Sequence, residues 1–190
     1  MGESKKIDVD ISAVLKKATE MYPALKAAAA LEKTGITDAM SEINFVKFSD
    51  IKKAANCSVS ATCNFLAAAV KAGIVEKDPA GPLYRLGGYF ETRNFAIKIM
   101  SNSDKYPLTR AEVRVRTLIR SAAVFAALWE SDKCLGEIQE ATGLSQSAAS
   151  LKMSRLVSIW WVDRERDGKK IYFSLPDSTR RVLVAMAGAM

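Results

Sequence analysis

Residues 48–81 and 135–168 align without a gap at a constant offset of 87 (135 − 48). Eight positions are identical: Ile51 and Ile138, Ala54 and Ala141, Ser58 and Ser145, Ser60 and Ser147, Ala61 and Ala148, Val70 and Val157, Val75 and Val162, and Gly81 and Gly168. Others keep their character, among them Phe48 and Leu135, Asp50 and Glu137, Leu66 and Met153, and Glu76 and Asp163. Such a repeat constrains the fold more than composition does, because both stretches must satisfy one arrangement of buried and exposed positions. Each copy reads as a short helix, a turn, a second helix, and a strand that leads to a glycine turn. The expected fold class is mainly α with small β-hairpins, in the form of tandem winged helix-turn-helix modules.

The rest of the chain is read around these copies. Ile11, Val14, Leu15, Ala18, Met21 and Tyr22 recur at helical spacing behind Asp10, a potential cap. Pro23 suits the first turn of a second helix carrying Leu25, Ala28, Ala29 and Leu31, which Gly35 ends. Ser49 and Ser58 are placed to cap the two helices of the first copy, and Gly73 to end the second. A further helix is expected from Phe90 to Met100, then a linker at Ser101–Asp104. Thr109 and Glu112 have the spacing of a capping box. The helix behind them is expected to bury Val113, Leu118, Ile119, Ala122, Phe125, Ala126 and Trp129 on one face. In the second copy, strands over 161–164 and 171–174 flank a hairpin turn at Asp167-Gly168, and a closing helix runs over 179–186. The expected organisation is an N-terminal scaffold or dimerisation module over 1–88, a helix and linker over 89–108, and a DNA-binding module over 109–190.

Several function classes are disfavoured. The chain has no histidine, which removes the commonest general base and metal ligand together. It has no phosphate-cradling glycine loop and no recognisable carboxylate pair, so no enzyme, cofactor or metal is expected. Its three cysteines, Cys57, Cys63 and Cys134, form no CxxC pair and read as reduced, small buried residues. Lysines near the N-terminus have no apolar run behind them, and no apolar stretch is long enough for a membrane span. A cytoplasmic protein without a membrane partner is expected. The net charge of +7 suits an anionic partner. Most of the excess lies between Arg93 and Arg120. Beyond it, acids at 130–140 precede bases that run from Lys152 to Lys170.

That placement brings function to the second copy. A helix entering the major groove needs small polar side chains near its N-terminus to approach base edges. Ser145, Gln146, Ser147 and Ser150 supply that end, and Gln146 can pair bidentately with adenine. Lys152 and Arg155 lie farther along, in reach of phosphates. The hairpin carries Arg164, Arg166, Lys169 and Lys170, suited to the backbone or minor groove of double-stranded DNA. Arg110, Arg114, Arg116 and Arg120 are candidates for further phosphate contacts.

The stretch CLGEIQEATGLSQSAAS from Cys134 to Ser150, with Arg155-Leu156 and RDGKKIYFSL from Arg166 to Leu175, resembles the ArsR-type winged-helix repressors. The resemblance implies a homodimer that reads an inverted-repeat operator and is released by a small-molecule effector. Where that family carries a metal-sensing cysteine pair, this chain has Cys134 and then Gly136. In the first half, ALKAAAALEKTGITDAM from Ala24 and FLAAAVKAGIVEKDPAGPLYRL from Phe65 are similar to the N-terminal dimerisation domain of small-molecule O-methyltransferases. This second resemblance implies architecture, not methyl transfer, because no glycine-rich cofactor loop follows.

Comparing the copies identifies the reader. Opposite Lys152 and Arg155 the first copy has Phe65 and Ala68. Opposite Arg164 and Arg166 it has Lys77 and Pro79, and opposite Lys169 and Lys170 it has Pro82 and Leu83. Each lost phosphate contact removes about one unit from the log–log salt slope of binding. The second copy is therefore expected to read DNA and the first to serve as scaffold or dimer element. The alternative is a non-catalytic adaptor that offers the same surface to a protein in a transcription or DNA-maintenance assembly.

Overall fold

The computed structural model describes residues 9–100 and 107–188. Elements follow in the order α1 (Ile11–Thr34), a 3-10 turn (Ile36–Ala39), β1 (Val46–Lys47), α2 (Phe48–Ala55), α3 (Val59–Lys71), β2 (Val75–Lys77), β3 (Leu83–Leu86), α4 (Tyr89–Ile99), α5 (Pro107–Arg120), α6 (Ala122–Glu130), β4 (Lys133–Cys134), α7 (Leu135–Thr142), α8 (Gln146–Ser158), β5 (Asp163–Asp167), β6 (Lys170–Ser174) and α9 (Asp177–Ala187). The protein is mainly helical, with two small antiparallel sheets of three strands ordered β1-β3-β2 and β4-β6-β5. The chain divides into two units, residues 19–116 and residues 1–18 with 117–190, so the division falls inside α1 and inside α5. The expected linker at Ser101–Asp104 lies outside the described residues.

Each unit contains one copy of the same element order: strand, short helix, longer helix, hairpin. The local chemistry repeats with it. Ser58 and Ser145 cap α3 and α8 with the same extended backbone (φ −65, ψ 157 and φ −65, ψ 159), and their hydroxyls accept from the N–H of Ala61 and Ala148. Before each cap the preceding helix ends on a left-handed residue, Asn56 at φ 46 and Gly143 at φ 67. In the unit over 19–116 the largest buried side chains include Leu25, Leu31, Ile36, Ile51, Leu66, Ile74 and Ile99. In the other unit they include Leu118, Phe125, Leu128 and Ile138, with Met153, Leu156, Trp161 and Leu183 also buried. Trp161 sets its ring edge-on to Phe125, with centroids 5.1 Å apart. Each such side chain stabilises the fold by roughly 1.5–3 kcal/mol through burial.

The structure corrects several local expectations. Pro23 does not start a helix but lies inside α1. Its ring removes one backbone hydrogen bond. Burial of Val14 and Ala18 on one side, and Leu25, Ala28 and Leu31 on the other, outweighs that loss. Ser49 falls within the first turn of α2, which Lys47 precedes as cap. Thr109 and Glu112 form no capping box, because α5 already begins at Pro107. The Leu108 and Thr109 N–H groups bond the Glu32 carboxyl instead, and Glu112 receives the Tyr22 hydroxyl at 2.9 Å.

The single helix expected behind Thr109 is two, α5 and α6, broken at Ser121 (φ −121). The break shifts the helical phase of α6, so Ala126 is exposed while Val124 and Ala127 are buried. On α5, Val113 is exposed because it lies opposite the buried Leu108, Ala111, Val115 and Leu118. The cysteines are free, as expected of reduced thiols, but none is buried: Cys63 is exposed, and Cys57 and Cys134 are half-buried. Cys134 precedes α7, where its N–H donates to Glu137 Oε2 at 2.7 Å. That bond is the main cause holding the Glu137 carboxyl below its ordinary pKa. Among the described residues no helix is long and apolar enough to cross a membrane.

Candidate nucleic-acid interface

The second helix–hairpin copy presents α8 as a two-sided rod. Ala149, Met153 and Leu156 are buried and hold it to its unit. At about 3.6 residues per turn, the line pointing directly away from them runs through Ser147, Leu151, Ser154 and Ser158. Ser145, Gln146, Ser147 and Ser150, the expected base-reading set, are all exposed. Ser145 also serves the fold as the cap of α8, and its hydroxyl lies 3.3 Å from that of Ser147. Along one edge of this face stands Arg155, exposed. Lys152 on the same edge is half-buried, and its ammonium donates to the Arg120 carbonyl at 2.8 Å. That bond ties Lys152 to the C-terminus of α5 and leaves it fewer donors for a phosphate.

On the other edge lies the hairpin. Its five paired positions run from Asp163 opposite Ser174 to Asp167 opposite Lys170, leaving Gly168 and Lys169 as the two-residue turn. The strand thus begins at Asp163, not Trp161, and Asp167 lies in the strand rather than the turn. Gly168 takes the left-handed backbone (φ 58) that such a turn requires. Because successive strand side chains alternate between faces, the run Asp163-Arg164-Glu165-Arg166-Asp167 splits by sign. Arg164 and Arg166 share a face with their cross-strand partners Phe173 and Ile171. Asp163, Glu165 and Asp167 share the other face with Tyr172 and Lys170.

The basic face turns toward α8. Arg164, Ile171 and Phe173 line a cleft of about 320 Å³ with Ser150, Ser154 and Ser158. Arg166 donates to the Gly168 carbonyl at 3.0 Å, which stiffens the tip. The structure therefore brings Gln146, Ser147, Ser150, Arg155, Arg164 and Arg166 to one surface around α8. It sets Lys170 apart on the acidic face, where its charge also acts on Glu137. Lys169 is exposed at the turn. The alternation is legible in the sequence, and it divides the four hairpin cations expected to act together.

The first copy keeps the scaffold with fewer cations: Lys77 stands exposed where the second copy has Arg164, but Pro79, Pro82 and Leu83 replace Arg166, Lys169 and Lys170. Its hairpin pairs only three positions across a longer loop. The cation Arg85 is committed to Glu76 at 2.6 Å and lies over the Phe45 ring. Of the arginines on α5, Arg114 donates to the Ile99 carbonyl and Arg116 lies 3.8 Å from Glu112, so both have structural contacts. The unit over 19–116 also holds an open concavity of about 620 Å³ where Glu32, Asp38, Glu42, Tyr89 and Arg93 meet. Among the described residues no group of three histidine, cysteine or acidic side chains is placed to hold a metal ion.

No family model matches the chain, and no curated protein matches it. Among solved structures it is similar to the crystal structure of the DIP2311 protein from Corynebacterium diphtheriae, at 16% identity over 78% of this chain with a TM-score of 0.26. The chain spans 26% of the length of that protein, and a likeness at this level assigns neither fold family nor function.

Proposed function

We propose that the two helix–hairpin copies are tandem winged helix-turn-helix modules. In this reading the protein is a non-catalytic, sequence-specific regulator of transcription that binds double-stranded DNA through the second copy. The observation that carries it is the exposed polar face of α8, flanked by Arg155 on one edge and by the Arg164 and Arg166 face of the hairpin on the other. A 13-residue helix is about 20 Å long and slim enough for a major groove about 12 Å wide. Cations on both edges suit the two phosphate ridges that bound such a groove. Gln146 and the serines near the helix start then meet base edges, while Arg155, Arg164, Arg166 and Lys169 hold the backbone. The protein acts as a homodimeric repressor on an inverted repeat, with a small-molecule effector as the releasing signal.

One observation favours the adaptor reading instead. Trp160 is 81% exposed beside the exposed Ile159, at the end of α8, and exposed tryptophans mark protein contacts. Selection of the purified protein against a random duplex library at physiological salt separates the two. Enrichment of an inverted repeat supports the dimeric reader, and its spacing reports the dimer geometry. Loss of all retention as salt rises indicates non-specific binding. No retention at any salt overturns the DNA reading in favour of the adaptor.

A further inference from the structure

Leu151 lies at the centre of the outward face of α8 and is 56% exposed. Its neighbours along that line, Ser147, Ser154 and Ser158, are all hydroxyl side chains. At this exposure a leucine adds less to the fold than a buried one, since its gain scales with the apolar area covered. The equivalent residue in the first copy, at the same offset of 87, is Asn64, which is also exposed on a helix capped in the same way. The helix–hairpin scaffold therefore accepts a polar residue here, and Leu151 presents an exposed apolar side chain at the centre of that face. Its surroundings identify the kind of partner. Arg155 on one side and Arg164 and Arg166 on the other make this a cationic frame around an apolar centre, which complements a polyanion carrying an apolar group between its charged ridges. In a DNA major groove the one such group on a base edge is the 5-methyl of thymine.

We propose that Leu151 is a specificity-determining residue that reads a thymine through its 5-methyl group; this rests on the DNA-binding reading of α8. The hydroxyls around it accept several base edges, so Leu151 and Gln146 supply most of the sequence preference, one for the thymine methyl and one for adenine.

The test uses the full chain and the duplex enriched by selection, with each thymine replaced singly by deoxyuridine. That change removes the methyl and leaves every hydrogen-bonding group in place. Expected is one position in each half-site where the replacement weakens binding about fourfold, as loss of a single apolar carbon contact implies. In Leu151→Asn, which installs the residue of the first copy, the penalty at that position disappears while the salt slope stays unchanged. Tolerance of deoxyuridine at every thymine, a selected sequence without thymine, or a penalty that persists in Leu151→Asn would each overturn the proposal while leaving DNA binding intact. Failure to retain any duplex, with capture of a protein partner that Leu151→Asn abolishes, would remove the DNA reading and this proposal together.

Discussion

Gly73 and Trp160 occupy the same place in the two copies, the residue that leaves the second helix, and both hold left-handed backbone at φ 72 and φ 59. The requirement comes from the helix end. Ile74 and Trp161 donate to Ala69 and Leu156 at 2.9 and 3.0 Å, a closing bond that reaches five residues back and forces the turn between. Glycine takes this conformation without a Cβ penalty, whereas a bulky residue is strained by roughly 1–2 kcal/mol.

Trp160→Gly is therefore expected to raise stability by about 1 kcal/mol, since an indole 81% in solvent contributes little packing. Gly73→Ala is expected to lower it by about the same amount. A Cβ there meets nothing within 4 Å, so only the backbone term changes. Urea midpoints of both variants check the pair. A Trp160→Gly variant less stable than the parent would mean that the indole makes contacts in solution that stabilise the chain.

Arg180 is expected to serve as a structural pin. Its guanidinium donates to the Leu175 carbonyl and the Trp129 carbonyl, each at 3.2 Å, and lies 5.1 Å over the Trp129 ring. Arg180→Ala leaves both carbonyls without this donor and is expected to cost about 2–3 kcal/mol. Lysine cannot bridge two carbonyls with a planar fork, so Arg180→Lys recovers only part of the loss. On the proposed DNA-binding reading the salt slope should be unchanged in any folded Arg180 variant, which separates this arginine from those on the hairpin.

The periodicities that depend on neighbours were readable from residues, and those that depend on distant packing were not. Ser58, Ser145, Gly35, Gly143 and Gly168 announce caps and turns because their chemistry is local. The break at Ser121 has no such sign: Leu118 and Val124 are buried on either side of it, and burial decides the phase. Pro23 misled for the same reason, since a proline is tolerated inside a helix whose flanks are both buried. At the candidate interface the residue types around Ser145–Arg155 were legible. The commitment of Lys152 to the Arg120 carbonyl was not, because that contact spans 32 positions.

The two faces of the hairpin should be separable in solution. On the proposed reading of DNA by a homodimer, Arg164→Ala and Arg155→Ala are each expected to lower the log–log salt slope by about two units, one phosphate contact per protomer. Lys170→Ala should lower it by much less, because Lys170 lies opposite Asp167 on the acidic face. Lys152→Ala should also have a small effect on the slope, with a loss of stability as the Arg120 carbonyl loses its donor. Affinities measured across a salt series check all four. Equal losses for Arg164 and Lys170 would place both faces against DNA and contradict the division by sign.

Glu32 sets a pH dependence in the other unit. Its Oε2 is buried with no hydrogen-bond partner among the described residues. Burial pushes the carboxyl pKa above its ordinary value, although the Arg93 charge and the N–H groups of Leu108 and Thr109 pull it down. A carboxyl whose folded pKa exceeds the unfolded one binds its proton more tightly in the native state. The stability this confers is complete below the ordinary carboxylate pKa, about 4.3. It is lost as pH rises through the raised native value. Glu32→Gln keeps an acceptor for the two N–H groups and removes the ionisation. The variant should therefore gain stability relative to the parent between about pH 4 and pH 7, with the two nearly equal at the acid end. Urea midpoints across that range provide the measurement. Parallel curves for parent and variant would mean that Glu32 ionises in the folded protein as freely as in the unfolded chain.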